Sequence, residues 1–321
     1  AATGVGLALP LLPYLAFHYS VTGQPFPTTF YAKQEEYRAL IDMLPVWQRW
    51  LTVAGATAIG GQVLLLPGFV WAIVRAVSAR PQLARDGSES VSSTSPPCPL
   101  STPWRGGDAS LTILLAAWWL AHLTLYALRL PVTYQHGRYQ MPVIVALIIV
   151  GLYGTVHLLD HVRHAVARRV ACRAAVLTSG ILWAAFLIMG GRAYSTDVGF
   201  VQGEMVTTAQ WLVENTPDDS LIAAHDIGAV GYFAQRRLLD LAGLVTPEVV
   251  PILHDDAALM ALMQARHVDY VVFFPDWSAA YRRLADDPRL RAVYTTGYTW
   301  TRRTGHANMT VFRLEPAPPG E

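Results

Sequence analysis

Apolar residues come in long runs through the first part of the chain and in short, alternating runs through the last. Five stretches approach the ~20 mainly apolar residues that a membrane-crossing helix needs: about 3–20, 50–74, 110–130, 141–159 and 174–191. Almost no charge interrupts them, unlike the helices of a soluble protein. Polar segments lie between: a long loop at 21–49, a short one at 131–140 and a strongly basic one at 160–173. The Ser-, Pro- and Gly-rich segment 77–109 cannot bury a core and reads as a disordered loop. Beyond residue 192 the pattern changes. An amphipathic helix is predicted from about Gly199 to Glu214, with Val201, Met205, Thr208, Trp211 and Leu212 on one side. Strand-like runs follow at 220–225, 237–243, 268–274, 291–298 and 309–314. Helical patterns fall near 227–234, 257–266 and 278–285. Strands alternating with helices predict a small α/β domain. The expected architecture is therefore an α-helical multi-spanning membrane region of about five transmembrane helices over residues 1–192, then a small extracytoplasmic α/β domain over 193–321.

Composition sharpens this division. The 321 residues are 53% hydrophobic and 15% charged, against about 25% charged in an ordinary soluble domain. The net charge of +1 is a cancellation: residues 1–192 hold 14 basic and 7 acidic residues, and residues 193–321 hold 10 basic and 16 acidic. The basic part is also the apolar part, which excludes a nucleic-acid binder. The Lys/Arg bias favours 77–109 and 160–173 as cytoplasmic, so five crossings would put the tail outside a multi-pass cell membrane. The two cysteines, Cys98 and Cys172, exclude a disulfide scaffold and a Cys-type zinc site. The chain opens Ala-Ala-Thr-Gly, with no initiator Met and no charged leader, and reads as the C-terminal part of a longer protein.

Four segments carry candidate chemistry. In 25-PFPTTFYAKQEEYR-38, Lys33 (the only Lys) lies beside hydroxyls and Tyr31, a set suited to a phosphate at a membrane surface, or to an interfacial belt with a snorkelling Lys. In 134-YQHGRYQMP-142, Arg138 stands among Tyr134, His136 and Tyr139, where an Arg needs an anionic or carbonyl partner. His157, Asp160, His161 and His164 share a helical face, but Arg163, Arg168 and Arg169 beside them oppose a cation. In 225-HDIGAVGYFAQRRLLDLAGL-244, a strand runs into Asp226-x-Gly-x-x-Gly, an incomplete phosphate-cradling turn whose plainer reading is a strand–turn–helix junction capped by Asp226. No Ser-His-Asp set, P-loop or HExxH stands out. No spanning stretch has an interior carboxylate, which argues against a complete secondary transporter.

The segments TGQPFPTTFYAK, GRYQMP and HDIGAVGYF…LDLAGLVTPEV, in this order over nearly the whole chain, resemble the C-terminal half of membrane glycosyltransferases of the GT-C class. The nearest in kind are bacterial protein-mannosyltransferase-like and arabinofuranosyltransferase-like members. The resemblance implies transfer of a sugar from a polyprenyl-phosphate carrier to a glycan or protein acceptor on the outer face of the bilayer. It implies donor-phosphate contacts from Lys33, Arg138, Tyr31, His136 and Tyr139. It places the catalytic Asp upstream, so this segment alone is expected to be inactive. A divalent metal is compatible with the class, but no ligand set is seen and no other cofactor is evident. The alternative is a non-catalytic, membrane-anchored binding or assembly protein with an outer α/β domain.

Overall fold

The structure, a computed structural model, describes residues 2–83 and 106–315. It divides into two compact units, one of Ala1–Arg38 with Gly191–Glu321, the other of Ala39–Gly190.

The chain begins with α1 (Ala2–Thr22), α2 (Thr28–Glu36) and α3 (Arg38–Met43). The second unit then holds α4 (Val46–Ala56), a 3-10 turn at Gly60–Leu65 leading into α5 (Leu66–Leu83), α6 (Gly106–Arg129), α7 (Tyr134–Gly137), α8 (Met141–Asp160) and the start of α9 (Ala165–Phe200). Its core joins Val53, Leu123, Ala127 and Val143 to a second cluster around Phe69, Ala72, Leu147 and Val150. The α5 and α8 helices touch backbone to backbone. A Cβ on Gly154 would lie 1.9 Å from the Gly68 carbonyl oxygen, and one on Gly68 would lie 2.2 Å from Thr155 Oγ1. Small residues permit this close backbone approach between apolar helices.

Four helices among the described residues are long and apolar enough to cross a membrane: Gly60–Ser78, Ala109–Arg129, Arg138–Asp160 and Ala165–Asn215. Four of the five expected stretches coincide with these segments; the first is not among them. The first stretch is helical throughout, as α1 (Ala2–Thr22). The expected span 50–74 is not one helix: it breaks after Ala56, and the crossing-length segment starts at Gly60. The 21–49 loop contains α2 and α3. Helix α5 runs to Leu83 and α6 starts at Gly106, so both ends of the expected disordered segment are helical. Its remainder, with Cys98, lies outside the described residues. The basic stretch 160–173 is largely helical, because α9 begins at Ala165.

In the other unit, α9 continues through a π-helical turn (Val201–Val206) into α10 (Thr207–Asn215). Next come β1 (Leu221–Ala224), α11 (Ile227–Ala229), β2 (Arg237–Asp240), α12 (Asp256–Ala265), β3 (Tyr270–Phe273), α13 (Ala279–Ala285), β4 (Leu290–Thr295), α14 (Thr299–Arg303) and β5 (Thr310–Leu314). The strands form one mixed sheet in the order β2-β1-β3-β5-β4. Strand β1 pairs in parallel with β2 and β3, and β5 is antiparallel to β3 and β4. The two-residue period of the strands makes three layers. Ala223, Val271, Phe273 and Phe312 face α12 and α13, packing on Leu259, Met263, Tyr281 and Leu284. Ile222, Ala224, Val272 and Val311 face the other way, onto Leu212, Val230 and Met309.

The π turn changes which side of the long helix is buried. Val201, expected inside, is 43% exposed, while Glu204 is fully buried. The extra residue in the turn rotates the face. The Glu204 carboxylate accepts from Thr296 Oγ1, from Thr301 Oγ1 (2.5 Å), from Asn308 Nδ2 (2.6 Å) and from the Met309 amide (3.0 Å). It fastens the helix to the segments around α14. Arg236 performs a similar task at the end of α10, donating to the carbonyls of Val213 (3.1 Å) and Thr216 (2.9 Å).

Candidate functional site

The order β2-β1-β3 means that the chain leaves β1 to one side and returns on the other. Parallel sheets open a crevice at the carboxyl ends of the strands at such a reversal, and ligands bind there. His225 follows β1, Ala242 follows β2, and Trp277 and Ser278 follow β3; all four line one cavity of about 290 Å³. The fourth side is closed by Glu36 and Tyr37 at the end of α2.

Local chemistry puts α2 there. Helix α1 stops at Gly23, whose φ of +69° suits glycine. Pro27, with φ −58° and ψ 148°, then starts α2. At the far end of α2, His254 Nε2 donates to the Glu35 carbonyl at 3.1 Å, satisfying one of the last carbonyls of the helix. Lys33 Nζ pairs with Glu36 Oε2 at 2.6 Å, and it lies 5.9 Å from the Tyr37 ring centroid. The loop after β2 is shaped by buried Asp240, which accepts from the amides of Ala242 and Val245, both at 2.8 Å. The Tyr281 hydroxyl donates to the Leu241 carbonyl at 3.2 Å.

The His225 ring sits 4.9 Å from Trp277 and 5.0 Å from Tyr281 between centroids. Burial pushes its pKa down to about 4; the Glu36 carboxylate opposes this and Lys33 adds to it. Burial raises the Asp226 pKa, helped by Asp240 and opposed by the Gly228 amide and Lys33. Burial likewise raises that of Tyr281, with Asp240 and Glu36 adding. At neutral pH the cavity therefore presents a neutral imidazole, able both to donate and to accept. The folded pKa of His225 lies below the ordinary ~6.5, so the unfolded chain binds more protons between about pH 4 and that value. Its contribution makes the fold more stable as pH rises through this window, and it is lost as pH falls through it. NMR of the His225 ring, assigned with His225→Gln, should show a midpoint near 4; a midpoint near ~6.5 would contradict the placement.

Tyr31 and Lys33 share α2, on a helix instead of the expected loop. His136, Arg138 and Tyr139 share the turn before α8 in the other compact unit. There the backbone reverses through His136 (φ +58°) and Gly137 (φ +68°). The exposed Arg138 guanidinium donates to the Tyr139 hydroxyl at 3.1 Å and lies 5.0 Å from that ring's centroid. His122 Nε2 donates to the Tyr139 carbonyl at 2.8 Å, fixing the turn. In this unit Arg49 Nε and both amide atoms of Gln140 are buried with no hydrogen-bond partner among the described residues, a polar reserve that no spacing in the sequence signalled.

His157 lies between Trp71 and Tyr153, and His161 Nδ1 donates to the His157 carbonyl at 2.7 Å. Among the described residues no group of three or more His, Cys, Asp or Glu is placed to hold a metal. Asp226 stands at the N-cap position of α11, and the Gly228 amide, two residues on, favours its carboxylate.

A family described as "Domain of unknown function (DUF8728)" matches residues 194–312. That range takes in the whole sheet up to β5 and lies beyond α2. No curated protein matches the chain.

Proposed function

We propose that this chain is the C-terminal part of a membrane glycosyltransferase of the GT-C class, moving a sugar from a polyprenyl-phosphate carrier to an acceptor outside the membrane. The observation that carries the reading is the seat of α2. The segment that holds Tyr31 and Lys33 packs over the open carboxyl ends of the C-terminal sheet, in one compact unit with the HDIG and DLAGL loops. The four crossing-length helices support the membrane part of the reading.

The chemistry asks for positive charge where the glycosyl–phosphate bond breaks, because the leaving phosphate gains negative charge there. Lys33 supplies a point charge and Arg138 a planar, two-pronged donor. The resemblance also assigns donor-phosphate contacts to Tyr31, on the Lys33 segment, and to His136 and Tyr139, on the Arg138 segment. The base that takes the acceptor proton is not assigned to any residue of this chain.

The test is sugar transfer from a synthetic polyprenyl-phosphate donor, measured with the full-length protein. Arg138→Ala should slow transfer about tenfold or more while leaving the fold intact. Unchanged rates in both Arg138→Ala and Lys33→Ala would overturn the assignment. A cysteine placed at Asp219, in a background free of Cys98 and Cys172, should react with an impermeant reagent added outside; reaction only after permeabilisation would overturn the orientation.

A further inference from the structure

We propose that the cavity at the carboxyl ends of β1, β2 and β3 binds one neutral sugar ring, stacked on Trp277. The choice of a saccharide among small polar ligands rests on the transferase reading; the binding site itself rests on geometry.

Three observations argue for it. The first is size. At about 290 Å³ the cavity is at the small end of ligand pockets, which run from ~300 Å³ upward, and holds one ring-sized group. The second is the kind of surface. Trp277 is 50% exposed although it stands beside Phe274 and His225 in a well-packed domain. An indole held by neighbours and left open on one face is an apolar platform of the kind that C–H groups of a sugar cover. Around it stand hydrogen-bonding groups of both senses. Glu36 accepts, and Ser278 Oγ, which accepts from the Tyr281 amide at 3.2 Å, retains its own proton to donate. No hydrogen bond involves the imidazole nitrogens of His225 among the described residues.

The third observation is charge, which decides against an anion. Lys33 does not line the cavity; its pairing partner Glu36 does. Asp240 acts on Tyr281, another wall of the cavity, and on Asp226, the residue after His225. Carboxyls therefore outnumber cations around the space, and a phosphate there would meet repulsion, whereas a polyol would find acceptors for its hydroxyls. Lys33 and the cavity are neighbours with separate tasks: a phosphate at the lysine, a sugar ring beside it.

The experiment uses the full chain in detergent and two probes, methyl α-D-mannopyranoside and methyl α-D-arabinofuranoside, observed by saturation-transfer NMR and tryptophan fluorescence. At least one glycoside should bind. Trp277→Ala should weaken it about tenfold or more, Glu36→Gln should weaken it as well, and Trp300→Ala, which removes another half-exposed indole, should leave it unchanged. Inorganic phosphate should not compete. Absence of binding by both glycosides, equal binding by the Trp277→Ala and Trp300→Ala variants, or displacement by phosphate would each overturn the proposal. Transfer from a polyprenyl-phosphate donor is measured separately on the full-length protein. Glycoside binding without transfer would sustain the cavity and sink the transferase reading; transfer without glycoside binding would do the reverse.

Discussion

Glu204→Ala is expected to unfold the C-terminal α/β domain, or to leave it marginal. The carboxylate is fully buried and serves two hydroxyls, one side-chain amide and one backbone amide, drawn from the segments before, within and after α14. Removing it strands these donors in a dry interior. A buried donor left without a partner costs about 1–3 kcal/mol. The two threonine hydroxyls can rotate toward other acceptors, whereas the Met309 amide cannot. A net loss of about 3–5 kcal/mol follows, a large share of the ~5–15 kcal/mol that holds a typical domain. Glu204→Gln keeps the shape and one acceptor oxygen but points an N–H pair at donors, so it should fall between wild type and alanine. Urea unfolding of the detergent-solubilised chain, followed by near-UV circular dichroism, reads the difference. A midpoint for Glu204→Ala indistinguishable from wild type would mean that the network does not bear on stability.

Lys33→Ala should cut sugar transfer by about a hundredfold with little effect on folding. Its ion pair with Glu36 is partly exposed, with side chains 24% and 19% accessible, and pairs near the surface contribute about 0–1 kcal/mol. A charge aimed at a leaving phosphate contributes far more, because it acts on the transition state. The control is Glu36→Gln. If Lys33 serves only to neutralise Glu36, the two variants behave alike. If Lys33 serves the phosphate, Lys33→Ala loses transfer while Glu36→Gln keeps the phosphate contact and is impaired in sugar binding. Rates within a few-fold of wild type in Lys33→Ala would remove the residue from the mechanism.

The strands were the most legible part of the fold. All five appear where short apolar runs sit between turn residues, because β1, β3 and β5 are buried on both faces and carry little else. The membrane part was legible in kind and less so in its bounds. Periodicity does not report that α4 ends at Ala56, which splits the expected 50–74 span. In the helix through residues 199–214, Met205, Thr208, Trp211 and Leu212 pack on the domain as the period predicts, whereas Val201 is exposed and Glu204 buried at a π turn that a 3.6-residue period does not report. For the site, the segments were visible and their assembly was not. His225 and Asp226 stood out beside the glycines, yet only the sheet order brings them under α2. Asp240 and Trp277 carried no spacing signal; both matter through the loops they shape or line.

The central claim is that the protein moves a sugar from a polyprenyl-phosphate carrier. Membranes from cells with the gene intact, deleted, or restored by the wild-type or Lys33→Ala form can be supplied with a radiolabelled polyprenyl-phosphate sugar, and label reaching an envelope acceptor is then counted. The account predicts incorporation with the intact and restored genes and its loss with the deletion and with Lys33→Ala. Equal incorporation in all four membranes, across both mannosyl and arabinofuranosyl donors, would contradict it.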